Sequence, residues 1–454
     1  MANPLFARMS VGDFYGNPLD LTKEKCAAGA CQETVTPTTG WIEIPADYTV
    51  EGHYAKAATY AYSETFPNTM VIRPIKAKHF RFRLGKTDTN PTHSPTFCEE
   101  FEKIARTKGV ACRRGTLDDA LAALDDAAYI PEPQPVKSAV EITALYYPGT
   151  EHMPEWDMVD QTLPHVKPLL GWYDEGNPEV IDWQIKWAVE HGISSFCVDW
   201  YWNRGEQRLD HWVKAFYRAK YRKYLKWAMM WANHTPPGAH SVEDQRAVTK
   251  YWIEHYFNTP EYLQIDGKPV VWYWQADNMN RDLGEGGCRK LLDLSRQMAV
   301  EAGFKGIHFI AMKWPEADGS AAVQRHYRDL GFDMTGIYHF MSHGGRCDSN
   351  SRFPFSAVAD ANPENWWKQH EANVLPFLPN LSTGWDDRPW NDHCEIYGKN
   401  AKDFRRICAE AKKFADKTGV KRLCLSPLNE WGEGSYAEPN AEHGFGFYEA
   451  VRDT

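Results

Sequence analysis

No run of about 18 apolar residues occurs in the chain, so no segment is expected to cross a membrane as a helix. No block of basic residues occurs either. Lys and Arg number 51 against 61 Asp and Glu, the formal net charge is −10 and the pI is near 6.0. Phosphate backbones need clustered cations, which excludes nucleic acid as a partner. No GxGxxG follows the first strand-like run of the alternating region, and "LGEGG" at 283–287 lacks the lysine and hydroxyl residue of a P-loop. No cofactor is therefore expected. None of the ten cysteines forms a CxxC pair or a Cys/His cluster at zinc spacing, so no metal is expected. Cys197 and Cys424 lie in strand-like apolar runs and read as buried free thiols. Cys26/Cys31 and Cys98/Cys112 sit in irregular sequence where they could pair, but connectivity is not readable from sequence. The N-terminal "MANPLFARMSVGDF" has no long apolar stretch, so no signal peptide is expected in this chain. The compartment stays open: cytoplasmic, or periplasmic or extracellular if a signal has been removed.

What the sequence does have is tryptophan, 19 of them. Indole faces stack on apolar ligand faces, which points to a binding cleft, although many such rings simply fill a large core. The 454 residues suit two units, or one large barrel with an appendage. Residues 40 to about 86 contain short alternating runs, "GWIEIPADYTV", "ATYAYSETF", "TMVIRPI" and "KHFRFRLG", that read as a small antiparallel β module. Two helix-like segments follow over 97–128. "IPEPQPVKS" then reads as a stiff linker. The expected division is residues 1–137, a β-rich accessory module with short helices and linker, and residues 138–454, the main domain.

Past the linker the rhythm changes. Strand-length apolar runs start at 141, 194, 226, 268, 307, 334, 374 and 422, and amphipathic helical patterns separate most of them. Eight strands alternating with helices predict an α/β fold of the (β/α)8 TIM-barrel type. A barrel keeps its chemistry at the C-terminal ends of its strands, and that rule selects the candidates. Tyr147, Asp199, Trp200, Trp202, Trp231, Asn233, His234, Trp274, His339, Trp385, Asp386, Asn429 and Trp431 fall there and are expected to bind substrate. An aromatic-lined cleft with a few carboxylates suits a sugar, whose C–H faces stack and whose hydroxyls hydrogen-bond. Each has a structural alternative. Asp199 could bond barrel-mouth N–H groups, His234 and His339 could be satisfied near-core histidines, and Asp386 could pair with Arg388.

Glu430 and Glu433 are the candidate catalytic pair. In an extended strand, an i,i+3 pair points to opposite faces. Gly432 and Gly434 permit a tight turn instead, which would bring both carboxylates to one side. Two close carboxylates do not ionise equally easily, so one acts as acid and one as base, the division of labour in glycoside cleavage. Glu438, before Pro439, reads as a loop anchor.

The barrel as a whole resembles glycoside hydrolase family 99 and the WbsX-like proteins grouped with it. The resemblance rests on "YYPGTEHMPEW", "GWYDEGNPEVIDWQIKWAVEHGI", "DWYW", "MMWANH", "STGWDDRPW" and "PLNEWGEGSYAEPNAEHGFGFYEAV", in that order. It implies a (β/α)8 barrel and an endo-acting enzyme that cleaves glycosidic bonds with retention. It also implies that Glu430 is the base that deprotonates the substrate's 2-hydroxyl, giving a 1,2-anhydro sugar, and that Glu433 is the general acid/base. The expected function is thus a glycoside hydrolase acting on a polysaccharide or complex glycan. The alternatives are a glycosyltransferase of surface-polysaccharide assembly and a non-catalytic glycan-binding protein. The oligomeric state is not readable.

Overall fold

In the computed structural model, residues 130–454 are described apart from 150–154, 171–172, 174, 314–318, 339–350 and 390–393, together with the strands Gly40–Glu43 and His79–Phe82. Those two strands pair antiparallel, Gly40 opposite Phe82. The other β readings of the N-terminal region, the helix-like segments of 97–128 and Cys26, Cys31, Cys98 and Cys112 lie outside the described residues.

Eight parallel strands form the barrel: β1 (Glu141–Tyr146), β2 (Ile193–Asn203), β3 (Lys226–Trp231), β4 (Lys268–Tyr273), β5 (His308–Lys313), β6 (Met334–Ile337), β7 (Asn380–Ser382) and β8 (Arg422–Ser426). Their order in the sheet is β6-β5-β4-β3-β2-β1-β8-β7. The two ends meet through the segment leading into β7. Thr335 bridges Phe377, donates its N–H to the Pro376 carbonyl at 3.0 Å and accepts from the Leu378 N–H at 2.8 Å. The seventh strand is shorter than its apolar run because Pro376 and Pro379 have no N–H to give the ladder.

Side chains alternate along each strand. Cys197 on β2 and Cys424 on β8, both free thiols, face the barrel interior with Leu145, Met230, Trp272, Ile310 and Met312. Phe196 and Val198 face the outer layer. Each fully buried Val, Ile or Leu contributes about 1.5–3 kcal/mol. Gly336 leaves room for Trp272 inside the barrel, since a Cβ there would lie 2.7 Å from the indole ring.

The outer layer comprises α1 (Pro178–Val189), α2 (His211–Arg218), α3 (Val242–Trp252), α4 (Gly287–Glu301), α5 (Ala321–Leu330), α6 (Phe355–Ala372), α7 (Ala401–Thr418) and α8 (Gly446–Arg452). Capping residues start four of them. Asn177, Ser241, Ser320 and Asn400 each accept a hydrogen bond from a first-turn N–H. Among the described residues no helix is long and apolar enough to cross a membrane. Residues 130–138 carry no regular structure and run along the barrel, where the Val136 N–H donates to the Val189 carbonyl at 2.9 Å.

Candidate active site

The chain leaves β8 through Asn429 and Glu430, makes a 3-10 turn at Trp431–Glu433, and reverses at Gly434. In a 3-10 turn, side chains at i and i+3 eclipse. Glu430 and Glu433 have that spacing, and their carboxyl groups interact directly. Gly434 has φ +56°, a left-handed conformation that glycine adopts at little cost. A Cβ on it would lie 2.5 Å from Asp386 Cβ and 2.9 Å from the Asp386 backbone N and O. The turn is sealed against the loop after β7. The Asp386 N–H donates to the Glu433 carbonyl at 2.7 Å, and Ser435 Oγ donates to the Gly384 carbonyl at 2.6 Å.

Asp199, at the mouth end of β2, faces the same site. It is buried, and its Oδ1 has no hydrogen-bond partner. Burial first, then the Glu430 charge, raises its pKa well above 3.8. Glu430 is raised well above 4.5 by burial and then by Glu433, while the Tyr338 hydroxyl favours the ionised form. The pKa values of Tyr201 and Tyr338 are raised by burial and then by these carboxylates. Three acids and two phenols thus share one electrostatic environment. Among the described residues, no cation figures in the charges acting on Asp199 and Glu430.

A ring chain borders the site. Tyr201 meets His234 at 6.1 Å, His234 meets Trp274 at 6.1 Å, and Trp274 meets Tyr338 edge-on at 4.7 Å. His234 keeps an exposed edge, and enclosure by its neighbours lowers its pKa from 6.5. Trp274 is partly exposed, as a stacking platform must be.

Several residues expected to touch substrate are placed elsewhere. In "DWYW" the side-chain period of two sends Asp199 and Tyr201 to the site but Trp200 and Trp202 outward toward α3. Trp200 stacks on Trp202 at 5.8 Å and meets Trp252 at 6.0 Å, and Trp202 Nε1 donates to Asp244. Trp231 packs outward against the same Trp252 at 5.8 Å. Trp431 lies under the turn, stacked on Tyr436 at 4.3 Å. With 0–1% exposure, Trp200, Trp231 and Trp431 have no free face for a sugar. Asp386 is held by Arg388, whose Nε donates to it at 2.7 Å, so it braces the loop. Trp385 is half-buried against the outer core. His339 lies outside the described residues.

The two asparagines serve as staples between strand ends. Asn429 Oδ1 accepts from the Tyr147 N–H at 2.9 Å, and its Nδ2 donates to the Tyr147 carbonyl at 3.0 Å. Asn233 makes the same pair of bonds with the backbone of Gln275, at 2.7 and 2.9 Å. They tie β8 to β1 and β3 to β4 at the mouth. Tyr147 remains partly exposed there.

Glu438 matches its reading as an anchor. It is buried, and it accepts from Tyr173 Oη at 2.6 Å, Gln184 Nε2 at 2.8 Å and Trp431 Nε1 at 3.2 Å. Burial pushes its carboxyl up to about 7 against these three bonds. Truncation, Glu438→Ala, would strand three buried donors. It is expected to cost about 2–4 kcal/mol in chemical denaturation at pH 7.5, with the midpoint shifted and the slope unchanged.

Reading the strand ends alone overlooked Tyr201 and Tyr338 as site residues. The signal for Tyr201 was present: once Asp199 faces inward, the residue two positions on does as well.

A sequence profile of the family described as Glycosyltransferase WbsX matches residues 154–451. Uncharacterized protein WxcX of Xanthomonas campestris pv. campestris (strain B100) is 23% identical over 399 residues, covering 76% of this chain and 54% of its own length. Glycoprotein endo-alpha-1,2-mannosidase of Mus musculus is 23% identical over 309 residues, covering 65% of this chain and 60% of its own. The chain thus spans little more than half the length of these curated relatives. A solved structure described as a glycoside hydrolase-like protein superposes with a TM-score of 0.51 at 18% identity, covering 72% of this chain and 97% of that one, and shares the barrel fold.

Proposed function

The chain belongs to the family described as Glycosyltransferase WbsX, and on that premise we propose that it is a glycoside hydrolase that cleaves glycosidic bonds in a polysaccharide or complex glycan with retention. The observation that supports this reading is the contact of Glu430 with Glu433 on one turn at the barrel mouth, beside Asp199 and a partly exposed Trp274. Similarity to a glycoprotein endo-alpha-1,2-mannosidase adds support. Residues 1–137 act as an accessory module appended to this enzyme.

The proton movements follow from the pair. Glu430 takes the proton of the substrate's 2-hydroxyl, whose oxygen attacks C1. Glu433 protonates the departing glycosidic oxygen, and the C1–O bond breaks. A 1,2-anhydro sugar remains. Ionised Glu433 then takes a proton from the water that attacks C1, while Glu430 returns its proton to O2. Two inversions at C1 leave the configuration retained. Asp199 hydrogen-bonds sugar hydroxyls, and Trp274 stacks on a C–H face.

The family description favours a second reading, transfer to a sugar hydroxyl in place of water. Incubation with a polysaccharide panel in H₂¹⁸O, with and without acceptor oligosaccharides, separates the two. Hydrolysis yields new reducing ends that carry the label. Products lengthened by acceptor, without labelled ends, would establish transfer, and no product on any glycan would overturn both readings.

The shift on Glu430 sets a pH expectation. A base held up by burial and a like charge is fully ionised only at higher pH. The acidic limb of the kcat/KM profile is therefore expected well above 4.5, and it belongs to the coupled pair. A limb near 4.5 would count against the pair.

Trp274→Ala is expected to raise KM about tenfold while kcat changes less, since stacking on a bound sugar is largely uniform binding.

A further inference from the structure

Lys399 is mostly buried just ahead of α7, behind the turn that carries Glu433. Its Nζ donates to the Gly434 carbonyl at 2.8 Å and lies 3.4 Å from the Tyr436 carbonyl. The same ammonium sits 3.1 Å from the centroid of the Tyr436 ring, whose other neighbour is Trp431, stacked at 4.3 Å. Lys399 thus contacts both residues that flank Ser435, where the chain returns from the 3-10 turn. On the reading of this site as glycosidic, we propose that Lys399 is a positioning residue, fastening the turn through the Gly434 carbonyl and the Tyr436 ring so that Glu433 stays opposite Glu430.

The bond to the Gly434 carbonyl needs an N–H rather than a charge, so Nζ keeps it as ammonium or as amine, and the side chain covers the Tyr436 ring in either form. The groups facing Lys399 come from several elements: Asp386 from the loop after β7, Tyr436 from the return of the turn, and Glu442 and His443 from the segment before α8. Burial pushes the ammonium down to about 7, with Glu442 and Asp386 acting the other way. Opening the turn returns the ammonium to water, where its ordinary value is 10.5. Between those values the open form takes up a proton, so falling pH favours opening and rising pH favours the fastened turn.

Hydrogen exchange of the peptide 428–437, read by mass spectrometry without substrate at pH 7 and 9 and corrected for intrinsic rates, tests the fastening independently of any activity. Lys399→Met is expected to exchange about tenfold or more faster there than wild type. Wild type is expected to gain more protection than the variant between the two pH values, a comparison that subtracts the carboxylates common to both. With a cleaved glycan in hand, kcat of the variant falls about tenfold or more while KM moves little, and Lys399→Arg, which keeps charge and donors, recovers part of it. Wild-type protection of the turn in Lys399→Met overturns the proposal, as does lost protection with unchanged kcat. If Lys399→Met unfolds the barrel, Lys399→Gln, whose amide is polar but ends one atom short of the Nζ that reaches the Gly434 carbonyl, carries the same comparison with the same outcomes. Failure to cleave any glycan, with the exchange difference present, would strike the glycosidic reading and leave the fastening standing.

Discussion

Glu433→Gln is expected to lower kcat on the cleaved glycan by roughly a hundred- to ten-thousand-fold, the range a positioned general acid supplies, with KM little changed. The amide keeps the shape of the side chain but cannot give a proton to the leaving oxygen. A substrate with a good leaving group, such as an activated aryl glycoside, needs that proton less and should lose less. Glu430→Gln is expected to cost a similar factor on both kinds of substrate, because the 2-hydroxyl still has to be deprotonated. The two variants are thereby told apart by leaving-group dependence rather than by size of effect. Stability moves the other way in Glu430→Gln. The folded pKa of Glu430 lies above its ordinary 4.5, so its contribution to stability is full below that value and is lost as pH rises through the folded one. A glutamine stays neutral throughout, and the melting temperature at pH 7.5 is expected to rise relative to wild type. Wild-type kcat in both variants would end the catalytic reading of the pair.

Gly434→Ala is expected to be the most damaging small substitution at the site. The left-handed backbone alone costs about 1–3 kcal/mol for a residue with a Cβ. The added methyl would also lie 2.9 Å from the backbone N and O of Asp386 and 2.5 Å from its Cβ, none of which is the far end of a flexible side chain. Relief requires the turn and the loop after β7 to separate. That lengthens the 2.7 Å bond from the Asp386 N–H to the Glu433 carbonyl. The expected result is a lowered melting temperature and a kcat at least tenfold lower, since a displacement of about 1 Å at a catalytic carboxyl can cost a hundredfold. Scanning calorimetry with the kinetics checks both. An unchanged kcat would mean that this turn does not set the geometry of the reaction.

The barrel was legible because its rule is local. Each strand is a short apolar run, each helix repeats at 3.6 residues, and caps such as Asn177, Ser241 and Asn400 mark where helices begin. β7 is shorter than its apolar run because Pro376 and Pro379 look apolar yet have no N–H for the ladder. Glycines at 432 and 434 made a turn after β8 foreseeable. Trp200, Trp231 and Trp431 went astray for a common reason: strand-end position says how far along the barrel a residue lies, and not which side of the sheet it takes.

Composition, periodicity and the spacing of Glu430 from Glu433 were therefore enough for the fold and for the proposal of a carboxylate pair, since both depend on residues near one another in the chain. Only the tertiary structure decided that Asp199, Tyr201 and Tyr338 join that pair, that Asn429 and Asn233 hold the mouth, and that Lys399 lies behind the turn. These contacts join residues up to hundreds of positions apart, as Asn429 and Tyr147 are. Burial, which sets the charge state of Asp199 and Glu430, is a property of everything packed around them, and no short stretch of sequence contains it.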